Sequence, residues 1–163
     1  MQRRQFFSGA VLLGAGLAGS EMAHAEGDAG AVIDRFAATL SAHDIEGFAE
    51  LFADDYVNHQ KSAAAAAPPA GKSAKQSTVD FFQARLAGIP DLRVSVETAL
   101  AVGDKAAASF VYEGVHGGAY FGVAPTGRPL RFTSCDIFRM RDGRIAEHWG
   151  MGDIAGVLAQ LKG

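Results

Sequence analysis

The stretch Phe132–Asp153, FTSCDIFRMRDGRIAEHWGMGD, allows few folds. Asp142-Gly143 reads as a tight turn, because Gly accepts the positive φ that hairpin connections need. The flanking runs are β-branched, aromatic and aliphatic, so two antiparallel strands are predicted. Asp136, Glu147 and His148 sit inside this apolar stretch. A carboxylate placed mid-strand beside Phe138 and Trp149 is costly unless it has a partner or a task. Two registers are open. A two-residue loop pairs Asp136 with Trp149, and a three-residue loop with a bulge at Gly143 pairs Asp136 with His148. A one-residue slip exchanges the faces of a strand, so the turn decides which side chain stands beside Asp136.

The segments before this hairpin are mostly helical. Val32, Ile33, Phe36 and Leu40 give one apolar stripe over Gly30–Leu40, and Asp44 is placed to cap a second helix carrying Phe48, Leu51 and Phe52. A short extended piece, Ala53–His59, follows. Pro68-Pro69 and Gly71 stop any helix in Lys61–Lys72, which reads as a surface loop, either a lid or an insertion. Ser73–Leu86 is a third helix, with Val79, Phe82 and Leu86 on one face. The period then changes to two. Leu92, Val94 and Val96 alternate along one strand, Gly103-Asp104 turns, and Phe110, Tyr112 and His116 share a face of the next. A long Gly/Pro-bounded connection, Gly117–Gly127, precedes the hairpin, and Asp153 caps a last helix, Ile154–Leu161. Helices before a meander point to α+β: a curved antiparallel sheet with three N-terminal helices packed on its concave side. A small-molecule pocket is expected at the open end of such a sheet.

Composition narrows the function. With 163 residues and 48% hydrophobic content, one domain with a real core is expected. A formal charge of −3 and no basic run in the body of the chain argue against nucleic acid as a partner. Cys135 is the single cysteine, read as a small buried hydrophobe. No His/Cys spacing has the form of a metal site. Residues 1–25 read as a signal peptide, with Arg3-Arg4 followed by Phe6 in the manner of twin-arginine export, an apolar Gly-rich segment, and Ala23-His24-Ala25 for cleavage. Residues 26–163 are then the domain, with a charge of −4, and the expected location is periplasmic or secreted, with membrane contact only during export.

The order and spacing of several short motifs carry a resemblance. They are Tyr56-Val57-Asn58-His59, Ile89-Pro90-Asp91-Leu92, Val102-Gly103-Asp104-Lys105, Gly114-Val115-His116-Gly117, Pro125-Thr126-Gly127-Arg128, Asp136-Ile137-Phe138-Arg139 and Asp142-Gly143-Arg144-Ile145 running into Glu147-His148-Trp149. Over about residues 30–161 the chain resembles the SnoaL-like polyketide cyclases (ester cyclases), within the cone-shaped superfamily of nuclear transport factor two and ketosteroid isomerase. The resemblance implies a half-barrel, a homodimer through the outer face of the sheet, and intramolecular aldol chemistry without metal or organic cofactor. It also implies an acid/base role for the aspartate at position 136. The Ala/Pro-rich segment at 62–70 and the export signal have no counterpart in that pattern.

Read as chemistry, Asp136 is the candidate acid/base, because a carboxyl group in an apolar cavity is suited to removing a proton from carbon beside a carbonyl. Its same-face neighbours are Ser134 and Phe138. His148 is its candidate partner. His116 is placed to orient an enolate oxygen, to hydrogen-bond Asp136, or to be held at a strand end by backbone. Asn58 and His59 face a substrate carbonyl or stabilise a turn. Phe138 and Trp149 are pocket-lining candidates, and Tyr56 and Tyr112 either line the pocket or fill the core. Arg139 is out of phase with Asp136 and so belongs on the other face, paired with Glu147 or Glu113. Three functions fit this set: a cyclase or lyase acting on a small, mostly apolar carbonyl compound, a non-catalytic small-molecule binding protein, and an isomerase or hydrolase.

Overall fold

The computed structural model describes residues 16–60 and 69–163, with side chains from residue 29 onward. Four helices and five strands follow in the order α1 (Gly16–Ser41), α2 (Ile45–Glu50), β1 (Phe52–Asn58), α3 (Ala74–Gly88), β2 (Arg93–Val102), β3 (Lys105–Val115), β4 (Pro129–Arg141), β5 (Arg144–Gly152) and α4 (Ile154–Lys162). The predicted elements are all present. The first helix begins earlier than Gly30. Most of the 1–25 segment and residues 61–68 of the Ala/Pro-rich loop lie outside the described residues.

Local chemistry sets the helix boundaries. Asp44 caps α2 by accepting from the Gly47 N–H at 2.9 Å. Ser73 and Gln76 form a reciprocal capping box at the start of α3. Asp153 caps α4 through the Gly156 N–H at 2.8 Å. None of the described helices is long and apolar enough to cross a membrane.

The sheet is an open half-barrel of order β1-β5-β4-β3-β2. Strands β2 to β5 form the expected antiparallel meander. The fifth strand corrects the all-antiparallel expectation, because β1 joins the edge parallel to β5, so the sheet is mixed. The chain passes through α3 and three strands before β5 returns beside β1, a non-local pairing that periodicity does not encode.

The core lies between the helices and the inner face of this sheet. Phe36 of α1 is its hub, with ring contacts to Phe48, Phe82, Phe110 and Phe138 at centroid distances of 4.8–5.5 Å. Full burial of each such ring contributes roughly 1.5–3 kcal/mol. The outer face is different. Leu100, Val102, Ile137 and Met151 are exposed there. Cys135 is exposed on the same face, not buried as expected, because β4 alternates and its neighbours Ser134 and Asp136 point inward.

The hairpin takes neither of the two registers. Asp142 and Gly143 have φ of 52° and 70°, the two left-handed residues of a two-residue turn, and Arg141 pairs with Arg144. An irregularity after Met140↔Ile145 then inserts one residue in β5, so Arg139 faces Glu147, Phe138 faces His148, Ile137 faces Trp149 and Asp136 faces Gly150.

Candidate active site

Asp136 and His148 come together through this bulge. Asp136 and Phe138 point inward from β4, and His148, directly opposite Phe138, points inward from β5. The imidazole stacks on the Phe138 ring, centroids 5.1 Å apart, and reaches diagonally so that Nε2 lies 2.7 Å from Asp136 Oδ1. Gly150 occupies the position this diagonal crosses. Both side chains are about nine-tenths buried.

The couple belongs to a longer polar chain. The Ser134 hydroxyl donates to Asp136 Oδ2 at 2.5 Å. Its one proton is then used, so the longer 3.4 Å contact with Tyr112 is made by the Tyr112 O–H donating to Ser134. On the other side, a carboxylate at Oδ1 requires the proton on His148 Nε2. In that tautomer Nδ1 accepts from the Tyr56 O–H at 3.2 Å. Burial holds both phenols in their donor form. It pushes Tyr112 up to about 12 and Tyr56 higher still, each helped by the negative charge of Asp136. Hydrogen bonds to a charged group contribute about 1.5–3 kcal/mol each, which offsets the desolvation of Asp136. Two hydrogen bonds leave further lone pairs on the carboxylate free to take a proton from a substrate.

The other sequence candidates separate by face. Asn58 pairs with His148 at the β1–β5 edge, and its side chain accepts from the Gln60 N–H at 2.9 Å, so the turn-stabilising alternative is realised. His59 and Trp149 are corrections. Trp149 faces Ile137 on the outer side, because the bulge sets it out of phase with Asp136. The His59 ring stacks on it at 4.5 Å and bonds Glu147 at 2.7 Å. Neither lines the face that carries Asp136. Arg139 pairs with Glu147 on that outer face, as expected. These partners hold the Glu147 carboxyl below its ordinary range, Arg139 most and His59 next.

His116 is fully buried, but its hydrogen bonds go to Thr126 and not to Asp136. Nδ1 accepts from the Thr126 N–H at 3.2 Å, which leaves the proton on Nε2, where no partner is found among the described residues. Those residues also contain no cluster of three or more metal-ligating side chains. A cavity of about 520 Å³ lined by Ser41, His43, Pro90, Asp91, Arg93 and Glu113 among others lies at the β2–β3 end and includes none of the dyad residues.

Sequence reading missed two residues. Gly150 carries no chemistry, and only the register reveals it. Arg85 of α3 is 4% exposed. Its spacing from Thr78 and Phe82, both buried, puts it on the inward stripe, and a charge on that stripe was the available signal.

Residues 31–161 match SnoaL-like polyketide cyclases. The chain belongs to that family. Among solved structures, this SnoaL-like chain is similar to IdmH of Streptomyces antibioticus, an assigned polyketide cyclase. The two are 34% identical, with a TM-score of 0.70, over 82% of this chain and 98% of that one. AclR of Streptomyces galilaeus, an assigned hydroxylase, shares the fold at 23% identity and TM-score 0.71, over 84% and 82% of the two chains. An assigned SnoaL-like cyclase from Jannaschia shares it at 20% identity and TM-score 0.68, over 83% and 92%. No curated protein sequence matches the chain.

Proposed function

We propose that this SnoaL-like protein is a cofactor-independent acid/base enzyme of the aldol-cyclase type, acting on a small, mostly apolar carbonyl compound. The observation that carries the proposal is the buried Asp136–His148 couple, held at 2.7 Å in an interior of Phe and Tyr rings. Asp136 takes a proton from carbon beside a carbonyl, and the released electron pair moves onto the carbonyl oxygen. The enolate carbon attacks a second carbonyl of the same molecule, forming the ring C–C bond. The resulting alkoxide recovers the proton from Asp136. His148 orients the carboxylate, and Tyr56 donates to His148 Nδ1 on the far side of the ring. Phe138, stacked on His148, and Tyr112, linked through Ser134 to Asp136, bound the substrate.

Export by the twin-arginine route to the periplasm is part of the proposal, supported by Arg3-Arg4-Gln5-Phe6 and Ala23-His24-Ala25. So is a homodimer through the outer sheet face. There Arg139, Glu147 and His59 are bonded to one another, and exposed Leu100, Ile137 and Met151 are available to meet their counterparts across a two-fold axis.

Turnover over a panel of enolisable aryl ketones and 1,3-dicarbonyl esters, followed by chromatography with Asp136→Asn in parallel, tests the reading. Product formation that Asp136→Asn abolishes supports it. The second reading, a non-catalytic binding protein, draws on the fact that both Asp136 oxygens already accept hydrogen bonds. Ligand binding without turnover, equal in wild type and Asp136→Asn, would establish it instead.

A further inference from the structure

Arg85 lies at the far end of the polar chain. Its guanidinium carbon sits 4.7–5.1 Å from the ring centroids of Phe81, Phe82, Tyr112 and Phe132. Nε donates to the Tyr120 hydroxyl at 3.0 Å. Tyr120 comes this close because Gly88 has no Cβ, which would lie 2.7 Å from the Tyr120 Cβ. None of the ion pairs among the described residues includes Arg85.

A guanidinium is not deprotonated in proteins, so this is a permanent buried cation without a carboxylate in contact. The aromatic faces stabilise its charge from above and below, and its N–H groups meet the phenol oxygens of Tyr120 and Tyr112, neither of which is an anion. The N–H edge is a planar fork suited to two oxygens. Tyr112 links it to the acid/base couple, since the guanidinium covers the Tyr112 ring and the Tyr112 hydroxyl leads through Ser134 to Asp136.

We propose that Arg85 binds a planar oxyanion of the substrate, a carboxylate or the enolate of a 1,3-dicarbonyl unit. The inference rests on the reading of Asp136 as the base and names the substrate class for that site. Proton transfer to Asp136 removes negative charge there and creates it on the substrate oxygen. In the enolate case Arg85 receives that charge, and the site holds one negative charge before and after the transfer.

The test is binding to the full chain by calorimetry, with benzoate against the isosteric benzamide. In parallel, the ultraviolet titration of 1-phenylbutane-1,3-dione is followed with and without protein. Wild type is expected to prefer benzoate by roughly tenfold, or to lower the apparent pKa of the dione by about one unit. Arg85→Met abolishes both effects. A benzoate preference alone identifies a carboxylate, and a dione shift alone identifies an enolate. Neither effect in folded wild type, or either one undiminished in Arg85→Met, overturns the proposal. Where Arg85→Met melts below the assay temperature, Arg85→Lys carries the test. It keeps the charge but loses the fork, so a reduced effect is expected and an unchanged one contradicts the proposal. Asp136→Asn separates the two readings. An anion preference that survives there supports Arg85 even where turnover is absent, and turnover that survives Arg85→Met leaves the acid/base reading standing alone.

Discussion

Gly150 lies directly opposite Asp136, and a Cβ on it would come within 2.2 Å of Asp136 Oδ1 and 2.3 Å of His148 Nε2. The hydrogen bond between the two catalytic candidates passes over the backbone of a residue that has no side chain. Gly150→Ala therefore displaces the imidazole or the carboxylate. The expected result is about a 100-fold loss of acid/base activity, with the melting temperature lowered by a few degrees. Kinetics and calorimetry on the variant check it, and an unchanged rate contradicts it.

Alkaline stability reports on the buried phenols. Tyr112 is pushed up to about 12 from 10.0, so the unfolded chain releases this proton at lower pH than the folded chain. Its contribution is fully present below pH 10.0 and is lost as pH rises toward about 12. Tyr56 acts in the same direction. Melting temperature measured across this window should fall, and Tyr112→Phe should fall less steeply because one linked proton is gone.

Glu147 supplies the acid limb. Arg139 and His59 hold its carboxyl below its ordinary range, so the stability from this cluster is present above pH 4.5 and is lost as pH falls through the lowered folded value. The difference in melting temperature between wild type and Glu147→Gln should be present at neutral pH and shrink below that limit. A difference that stays constant down to pH 3 contradicts this assignment.

Ile137 is 45% exposed in the middle of the apolar outer face. Ile137→Lys places two like charges at a two-fold interface. Sedimentation velocity should show dimer for wild type and monomer for the variant, with the melting curve of the monomer still cooperative. Dimer in both variants would place the interface elsewhere.

Much of this was legible in the sequence. Caps at Asp44 and Asp153, the turn at Asp142-Gly143 and the inward phase of Asp136 follow from local chemistry and period-two alternation. Three things were not. The bulge beyond the turn leaves the consecutive residues Ile145 and Ala146 both buried, which breaks the period-two pattern, and it sent Trp149 outward. The parallel β1–β5 pairing joins residues about ninety positions apart, where local patterns are silent. Arg85 stands on the buried stripe of α3 with Thr78 and Phe82, but the four rings that surround it come from β3, β4 and α3 and are brought together only by the fold.

Deuterium incorporation into phenylacetone tests the central claim most directly, because it follows proton removal from carbon alone and needs no ring closure. In D₂O, wild type should accelerate exchange of the methylene protons well beyond buffer, and Asp136→Asn should be slower by about 100-fold. Exchange no faster than buffer in folded wild type, or exchange as fast in Asp136→Asn, would contradict the assignment of Asp136 as the base.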